Sequence, residues 1–307
     1  MQIYDSLEQL AELHKPVHWA MGFFDGVHRG HLRVIKAAHS PGALCGVLTF
    51  DRHPLALLRP ESAPSLLTPD AAYKAWLLES QGGVDVLLRL PFTADLAATS
   101  AVDFLKALGR ACCVAGISVG ANWHFGCGGV GTPDLLRREG LRQNFAVNVQ
   151  PLAETAGIPV SSSRTRAELA AGRLGMVAQL LGRPFALVGQ VQHGQRLARE
   201  LGFPTANIHV SQDAALPPFG VYRVRCCVDG MPRMGIANLG LRPTIVEQQK
   251  IPRLEVHLPG WQGDLYGQRL VVELLELLRL ERAFSSLEEL KAQMRRDLAA
   301  LNGPEIM

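Results

Sequence analysis

Short apolar runs alternate with amphipathic segments over the first 181 residues. Val17–Phe23 and Leu44–Phe50 have the length of buried strands, whereas His31–His39 and Ala71–Glu79 place apolar residues at helical spacing. This alternation predicts a parallel sheet with helices on its faces, an α/β domain. Further elements are predicted at Val84–Leu90, Ala101–Arg110, Cys113–Val119, Pro133–Arg138 and Phe145–Val149, with short helices over Glu168–Leu181.

The pattern changes near Gly182, where β-rich runs separated by glycine and proline begin. Several antiparallel strands with turn signals predict a small barrel or sandwich. The last segment, Ser285–Leu301, starts with a helix N-cap signal and carries leucines at helical spacing. We therefore expect two domains, residues 1–183 and 184–307. The β-rich runs are Phe185–Gln192, Gly220–Val228, Pro232–Asn238, Arg253–Leu258 and Leu270–Leu280.

Composition narrows the classes of partner. The 307 residues carry a net charge of +3 and a mean hydropathy of +0.10, typical of a globular chain without a large basic surface. The N-terminal segment contains acids and no apolar core of a secretory signal, and no apolar run reaches membrane-spanning length. The six cysteines form no CxxC pair and are expected to be free, buried thiols. We expect a cytoplasmic protein that acts without nucleic acid or membrane.

The segment Gly22–His31, GFFDGVHRGH, joins the first predicted strand to the first helix. Ligands of open α/β sheets bind at the carboxyl ends of strands, and a helix N-terminus attracts anions. His28 and His31 share one helix face, and Gly26 and Gly30 permit close backbone approach. The segment predicts a polyphosphate site. A zinc pair lacks a third ligand at nearby spacing, and an incidental structural turn is the other alternative.

HxGH after a first strand resembles the nucleotidyltransferase superfamily, and this resemblance implies a Rossmann-like α/β domain with a parallel sheet. The ten-residue form is similar to the adenylyl-transferring domain of bacterial bifunctional riboflavin kinase/FAD synthetases, as are Val47–Pro54, Val119–Gly126 and Ser161–Arg166. The resemblance implies catalytic roles for His28 and Arg166, together with His31. It also implies ATP or phosphate binding by Gly22, Phe24, Asp25, Gly26, Gly30, Asn122, Ser161, Ser162, Ser163 and Arg164. From the residues alone, a helix cap is the favoured explanation of the serines, and both roles can hold together.

A second glycine pattern, Gly126–Gly131, satisfies G-x-G-x-x-G between a predicted strand and helix. A dinucleotide site would place this pattern in the first strand–helix unit, but here it falls late in the domain. The resemblance to the adenylyl-transferring domain instead implies a glycine loop beside the nucleotide or flavin site. The chain contains no Gly-Lys dipeptide, which excludes a P-loop.

In the β-rich half, Thr205 and Asn207 are two residues apart and would face the same side of an extended chain. Two neutral oxygens beside phosphates and water suit Mg²⁺, although an ordinary proline turn explains the same pattern. Four segments resemble flavokinase motifs: Gly202–Ile208, Gly235–Thr244, Leu254–Leu258 and Gly263–Gly267.

The flavokinase resemblance implies that Thr205 and Asn207 hold ATP-bound Mg²⁺ and that Glu255 is the catalytic base. A carboxylate there could accept the proton of the riboflavin 5′-hydroxyl. The resemblance also implies a flavokinase-type antiparallel β-barrel with a C-terminal helix. It implies ATP or flavin binding by Gly194, Arg199, Gly202, Phe203, Pro204, Asn238, Arg242 and Thr244.

Together the two resemblances imply a bifunctional enzyme that phosphorylates riboflavin to FMN and adenylylates FMN to FAD, releasing pyrophosphate. Its partners would be riboflavin, FMN and ATP, and it would be a monomer or a weak homo-oligomer. Two departures matter: Cys127 and its neighbours replace a usual lysine or arginine, and Ala198 replaces a usual glycine. The first departure keeps open a riboflavin kinase with a weakened N-terminal domain. A non-enzymatic flavin sensor would need damaged catalytic residues in both halves.

Overall fold

The computed structural model describes residues 1–155, 157–193, 203–242 and 251–302. The chain forms two compact units, Met1–Ser162 and Ser163–Met307, and each is described by itself. The predicted domain border at residue 183 is not tested by this division and stays a prediction.

A six-stranded parallel sheet forms the first unit, with strand order β1-β4-β3-β2-β5-β6. The central strands are apolar and buried on both faces, as expected of a sheet covered by helices. The predicted parallel α/β architecture is confirmed. The strands are β1 (Gln2–Tyr4), β2 (Val17–Met21), β3 (Leu44–Phe50), β4 (Val86–Leu90), β5 (Val114–Gly120) and β6 (Ala146–Gln150).

The helices of this unit begin at polar caps. Asp70, Ser100 and Thr132 each accept a hydrogen bond from a backbone N–H in the first turn of the helix that follows. Three short elements that the periodicity did not indicate are β1, α2 and α4, because each has five residues or fewer. The helices are α1 (Arg29–Lys36), α2 (Pro54–Leu58), α3 (Ala71–Gly82), α4 (Ala94–Ala98), α5 (Ala101–Ala111) and α6 (Pro133–Gln143), and a hairpin of β7 (Glu154–Thr155) and β8 (Ile158–Pro159) follows.

In the second unit, two helices precede a closed barrel with strand order β10-β13-β12-β11-β14-β9. All of its pairings are antiparallel, and β9 pairs with β10 to close the ring. The sequence left barrel and sandwich open, and the structure decides for the barrel. The elements are α7 (Ser162–Ala170), α8 (Leu174–Leu181), β9 (Phe185–Gln192), β10 (Ala206–Val210), β11 (Gly220–Val228), β12 (Met231–Arg242), β13 (Ile251–His257), β14 (Arg269–Leu280) and α9 (Leu287–Ala299).

All six cysteines are free, but only Cys45 and Cys226 are buried. The expectation of buried thiols is wrong for Cys113, Cys127 and Cys227, which are exposed. On β11 the reason is strand geometry, since adjacent residues of a strand point to opposite faces. None of the described helices combines the length and apolar character needed to cross a membrane.

A buried histidine lies in the centre of the parallel sheet. His18 on β2 is 3% exposed, and its Nε2 lies 2.9 Å from Ser118 Oγ on β5. Its Nδ1 lies 3.3 Å from Ser40 Oγ. Burial lowers the pKa of His18, because the charged imidazolium loses its hydration in the core.

This burial predicts an acid-sensitive fold. The unfolded chain takes up the His18 proton near pH 6.5, whereas the folded protein takes it up only at lower pH. Stability is therefore fully present above about pH 6.5 and falls as the pH drops through the folded pKa. Melting temperatures at pH 7.5 and 5.5 should differ less for His18→Gln than for the wild type. Equal differences would contradict the prediction.

Candidate active sites

The turn between β2 and α1 has an unusual backbone. Phe24, Gly26 and Val27 have φ values of 56°, 80° and 40°, in the left-handed region. Phe24 and Val27 are buried despite this conformation, at 1% and 0% exposure. Non-glycine residues adopt it only when their surroundings impose it, and such residues cluster at functional sites. The turn is therefore held by contacts from other segments.

Hydrogen bonds from two distant segments close this turn. Gly26 N donates to Thr68 Oγ1 at 3.1 Å, and Thr68 N donates back to Asp25 Oδ1 at 3.0 Å. Ser162 Oγ donates to the Asp25 carbonyl oxygen at 2.9 Å. Asp25 is 3% exposed, so its carboxylate shapes the turn. Its expected contact with phosphate stays a prediction.

His28 and His31 bind each other across the first turn of α1. His31 N donates to His28 Nδ1 at 3.1 Å, and His28 N donates to His31 Nδ1 at 3.3 Å. The rings stack with centroids 3.5 Å apart. Because both Nδ1 atoms accept, neither carries a proton, and the proton of each neutral ring lies on Nε2. The pair is thus arranged as two neutral N–H donors at a helix N-terminus.

Gly30 makes room for the capping ring. A Cβ atom on Gly30 would lie 3.1 Å from His28 Cε1 and 3.2 Å from His28 Nδ1, closer than side chains ordinarily pack. The nearest neighbours of such a Cβ atom are the His28 ring and Ala153, so Gly30 accommodates the cap. The expected close approach of the Gly30 backbone to a ligand stays a prediction.

An apolar cavity of about 530 Å³ opens at the carboxyl ends of β2 and β5. These strands are direct neighbours, so the residues that follow them meet at one edge of the sheet. Gly22 lines the cavity, and Asn122 follows β5 at the same edge, exposed to solvent. Aromatic rings supply much of the wall: Phe50 and Phe92 lie 5.0 Å apart, and Trp123 and Phe125 stack at 4.3 Å.

The glycine-rich loop also borders this cavity. Gly126, Gly128 and Gly129 line it, and Cys127–Gly129 form a short 3-10 turn. The loop follows β5 and does not open the first helix of the sheet, which agrees with reading it as a cavity loop.

The serine–arginine motif starts helix α7. Ser161 precedes the helix, Ser162 opens it, and Ser163 Oγ accepts from Arg166 at 3.3 Å. Arg164 Nε lies 2.5 Å from Glu168 Oε1, and Glu168 also pairs with Arg173. Arg164 is therefore engaged within its own helix. The phosphate contacts expected of Ser163, Arg164 and Arg166 stay predictions.

In the barrel, strand register places the expected kinase residues in one row. Asn207 on β10 pairs with Glu255 on β13, and Glu255 pairs with Asn238 on β12. Across β11, Val221 continues the row to Arg279 on β14. All five side chains line one cavity of about 270 Å³, which α9 covers with Leu290, Met294 and Leu298. Phe203 and Phe284 add aromatic walls.

A second cavity, of about 660 Å³, is lined by Pro204, Trp261, Asp264 and Tyr266. Thr205 and Asn207 line both this cavity and the smaller one. Of the two cavities, Glu255 lines only the smaller one. Thr205 and Asn207 are therefore shared between the two cavities.

Arg253 binds both central side chains of the row. Its Nε donates to Asn207 Oδ1 at 2.8 Å and lies 2.9 Å from Glu255 Oε1. Residues two apart on a strand share a face, so this arginine and Glu255 point the same way. The sequence analysis did not single out Arg253, although its strand spacing from Glu255 was a usable signal.

Two further contacts hold the walls of the kinase site. His257 Nδ1 lies 2.8 Å from the Pro204 carbonyl oxygen, which fixes the Pro204 segment against β13. Arg279 binds Asp297 of α9 through both Nε and a terminal nitrogen, at 3.0 and 2.9 Å. This pair, of which Asp297 is buried and Arg279 is partly exposed, attaches α9 to the barrel over the smaller cavity.

Some expected kinase residues cannot be placed. Gly194, Arg199, Gly202 and Thr244 lie outside the described residues, as does Ala198. Only the backbone of Arg242 is described, at the end of β12.

A parallel α/β unit with a histidine-capped first helix, followed by a barrel with paired cavities, defines a two-domain transferase that uses nucleotides. A family model described as "FAD synthetase" matches residues 10–164, and one described as "Riboflavin kinase" matches residues 181–303. The chain belongs to the family of bifunctional riboflavin kinase/FMN adenylyltransferases. It is an enzyme with both domains, and the comparisons support this interpretation over a riboflavin kinase alone.

Curated relatives of that name cover most of the chain. The Pseudomonas fluorescens enzyme is 39% identical over 98% of this chain and 96% of its own, and the Escherichia coli K12 enzyme is 37% identical over 90% and 89%. A solved structure titled "Macrolide-efflux Protein from Streptococcus pneumoniae" has a TM-score of 0.85 and 25% identity. It covers 99% of this chain and 100% of its own, so the fold extends across both units.

The mutual cap predicts a stability effect at His28. In His28→Ala the backbone N–H of His31 loses its acceptor, which should lower the free energy of unfolding by about 1 kcal/mol. His28→Asn keeps a capping acceptor and should lose less. Urea denaturation followed by circular dichroism measures both variants. If both variants lost the same free energy of unfolding, the helix cap would not be the cause of the lower stability.

Proposed function

We propose that phosphate is transferred from ATP to riboflavin beside Thr205 and Asn207. The observation that supports this is that these two residues line both cavities, whereas Glu255 lines only the smaller of the two. The smaller cavity, with its aromatic and aliphatic walls, suits the flavin ring. The larger cavity, lined by polar groups such as Asp264 and Gln262, suits the nucleotide.

Glu255 acts as general base in this proposal. Riboflavin lies in the smaller cavity with its 5′-hydroxyl directed at the row, and the Glu255 carboxylate accepts the hydroxyl proton. The hydroxyl oxygen then bonds to the γ-phosphorus as the bond to the ADP oxygen breaks. In-line geometry requires donor and acceptor on opposite sides of the transferred group, and in this proposal ATP and riboflavin occupy the two cavities that share Thr205 and Asn207.

Mg²⁺ is part of the proposal, and the donor set fits it. Thr205 and Asn207 supply a hydroxyl and a carboxamide oxygen, two neutral hard ligands that leave room for phosphates and water. The ion would neutralise phosphate charge during transfer. Asn207 Oδ1 accepts from Arg253 in this structure, so the metal needs that arginine to move aside.

For the second reaction, we propose that the apolar cavity beside Gly22 holds the flavin ring of FMN. The FMN phosphate oxygen attacks the α-phosphorus of ATP, and pyrophosphate leaves. The Nε2–H groups of His28 and His31 donate to the phosphates as negative charge moves to pyrophosphate. The N-terminus of α1 adds its dipole, and Arg166 is proposed as a further phosphate ligand.

We also propose the border of the two domains between residues 183 and 184, near the start of the riboflavin kinase match at residue 181 and just before β9. The proposed setting is the cytoplasm, with small molecules as the only partners and a monomeric or weakly oligomeric state. Six free cysteines support a reducing compartment.

Separate sites predict separable losses. Glu255→Gln should abolish FMN formation from riboflavin and preserve FAD formation from supplied FMN. His28→Asn, which keeps the helix cap, should do the converse. Chromatography of riboflavin, FMN and FAD in one time course with MgATP measures both. If either variant lost both activities equally, the assignment of separate sites would be wrong.

Arg253 predicts an effect on the metal requirement. Arg253→Gln frees Asn207 Oδ1, so half-maximal FMN formation should need about two- to fivefold less Mg²⁺, the range expected of a partly exposed ion pair. The dissociation constant of MgADP, measured by calorimetry, should fall by a similar factor. Arg225→Gln is the matched control, because Arg225 pairs with Glu273 outside both cavities. A higher Mg²⁺ requirement would show that Arg253 assists the phosphates instead.

A further inference from the structure

A buried lysine lies beneath the adenylyltransferase turn. Lys74 belongs to the buried face of α3, together with Tyr73, Ala75, Leu77 and Leu78. At the end of its side chain, Nζ donates a hydrogen bond to the Phe23 carbonyl oxygen. Nζ also donates to Thr49 Oγ1, at 3.0 Å. Nζ also lies 4.2 Å from the centroid of the Phe23 ring. A charged group in a core position therefore contacts the first residues of the turn.

Burying this ammonium is costly. Burial lowers the pKa of Lys74 to about 7, because the charged form loses its hydration. Asp25 on the turn acts in the opposite direction and raises the pKa, whereas Arg89 on β4 lowers it further. Methionine would fill similar space without that cost, and replacing buried ions by apolar groups is often neutral or stabilising.

The Phe23 carbonyl does not need Lys74 to be paired. Thr49 Oγ1 donates to the same oxygen at 2.9 Å, so removing the lysine would still leave that carbonyl with a donor. A purely structural role therefore explains little of this arrangement. What Lys74 adds is a second hydrogen-bond donor to the Phe23 carbonyl oxygen, between the end of β2 and the turn.

The position of Phe23 makes that point important. The next residue, Phe24, is the first of the left-handed residues, and the turn ends at His28. The Phe24 ring contacts the His31 ring edge-on at 5.2 Å. A shift of the Phe23 carbonyl would therefore be transmitted through this turn to the two imidazoles.

We propose that Lys74 is a positioning residue for adenylyl transfer, holding the Phe23 carbonyl so that the turn presents His28 and His31 to the phosphates. The inference rests on the proposed role of these histidines. Positioning acts mainly in the transition state, where small misplacements of catalytic groups cost most. Loss of Lys74 should thus lower kcat for FAD synthesis and leave the KM for FMN and ATP nearly unchanged.

The test compares Lys74→Met with Lys106→Met in the full chain. Lys106 is an exposed lysine of α5 paired only with Asp103 among the described ion pairs, so its replacement controls for the change of residue type. For Lys74→Met, kcat for FAD synthesis from FMN should fall by roughly 10- to 100-fold. Its melting temperature and its riboflavin kinase activity should match those of Lys106→Met.

A second pair of variants tests whether Lys74 acts through its hydrogen bond to the Phe23 carbonyl oxygen. Thr49→Val removes the other donor to Phe23 and should also lower kcat, whereas Thr49→Ser keeps the hydroxyl and should retain it. Unchanged kcat in Lys74→Met, a rise in KM alone, or a lower melting temperature that accounts for the lost activity would overturn the inference. His28→Asn tests the proposed role of the histidines separately from the role of Lys74. If this variant retains FAD synthesis, the assignment of the histidines is wrong.

Discussion

Hydrogen-bond register between neighbouring strands is the constraint on which both sites depend. In the sheet, β2 lies between β3 and β5 in parallel register, so the segments that follow these strands emerge at one edge. In the barrel, antiparallel register aligns Asn207, Glu255 and Asn238 across three strands. A slip of one residue would turn each of these side chains to the opposite face. Backbone pairing thus determines where chemistry is possible.

In both halves of the chain, polar side chains expected at the two sites form hydrogen bonds or ion pairs with other groups of the protein. His28 and His31 cap each other's backbone, Asp25 binds Thr68, and Arg253 holds Asn207 and Glu255. These contacts have different roles in the fold. The Nδ1 atoms of the histidine pair stabilise the start of α1. Arg253 links β13 to β10 through Asn207.

Long periodic elements and local motifs were predictable from the sequence. The buried strands β2 and β3 have strong apolar patterns, and His28 with His31 lies within one continuous motif. The short strand β1 was not predicted, because three residues show no period. Lys74 was missed for another reason: its partner Phe23 lies 51 residues away, and a helical lysine ordinarily faces solvent. Arg253 likewise meets Asn207 across 46 residues.

The closure of the barrel has a consequence for how the kinase half is formed. Strand β14 pairs with both β9 and β11, so the ring is complete only when segments more than 70 residues apart meet. Closing such long loops costs conformational entropy, and this cost comes before the contacts between the distant strands can stabilise the chain. We expect Glu255 and its neighbours to reach their arrangement late and together during folding. A chain that lacks β14 would contain Glu255 and the motif residues before it, but it would have no closed barrel in which to bind flavin.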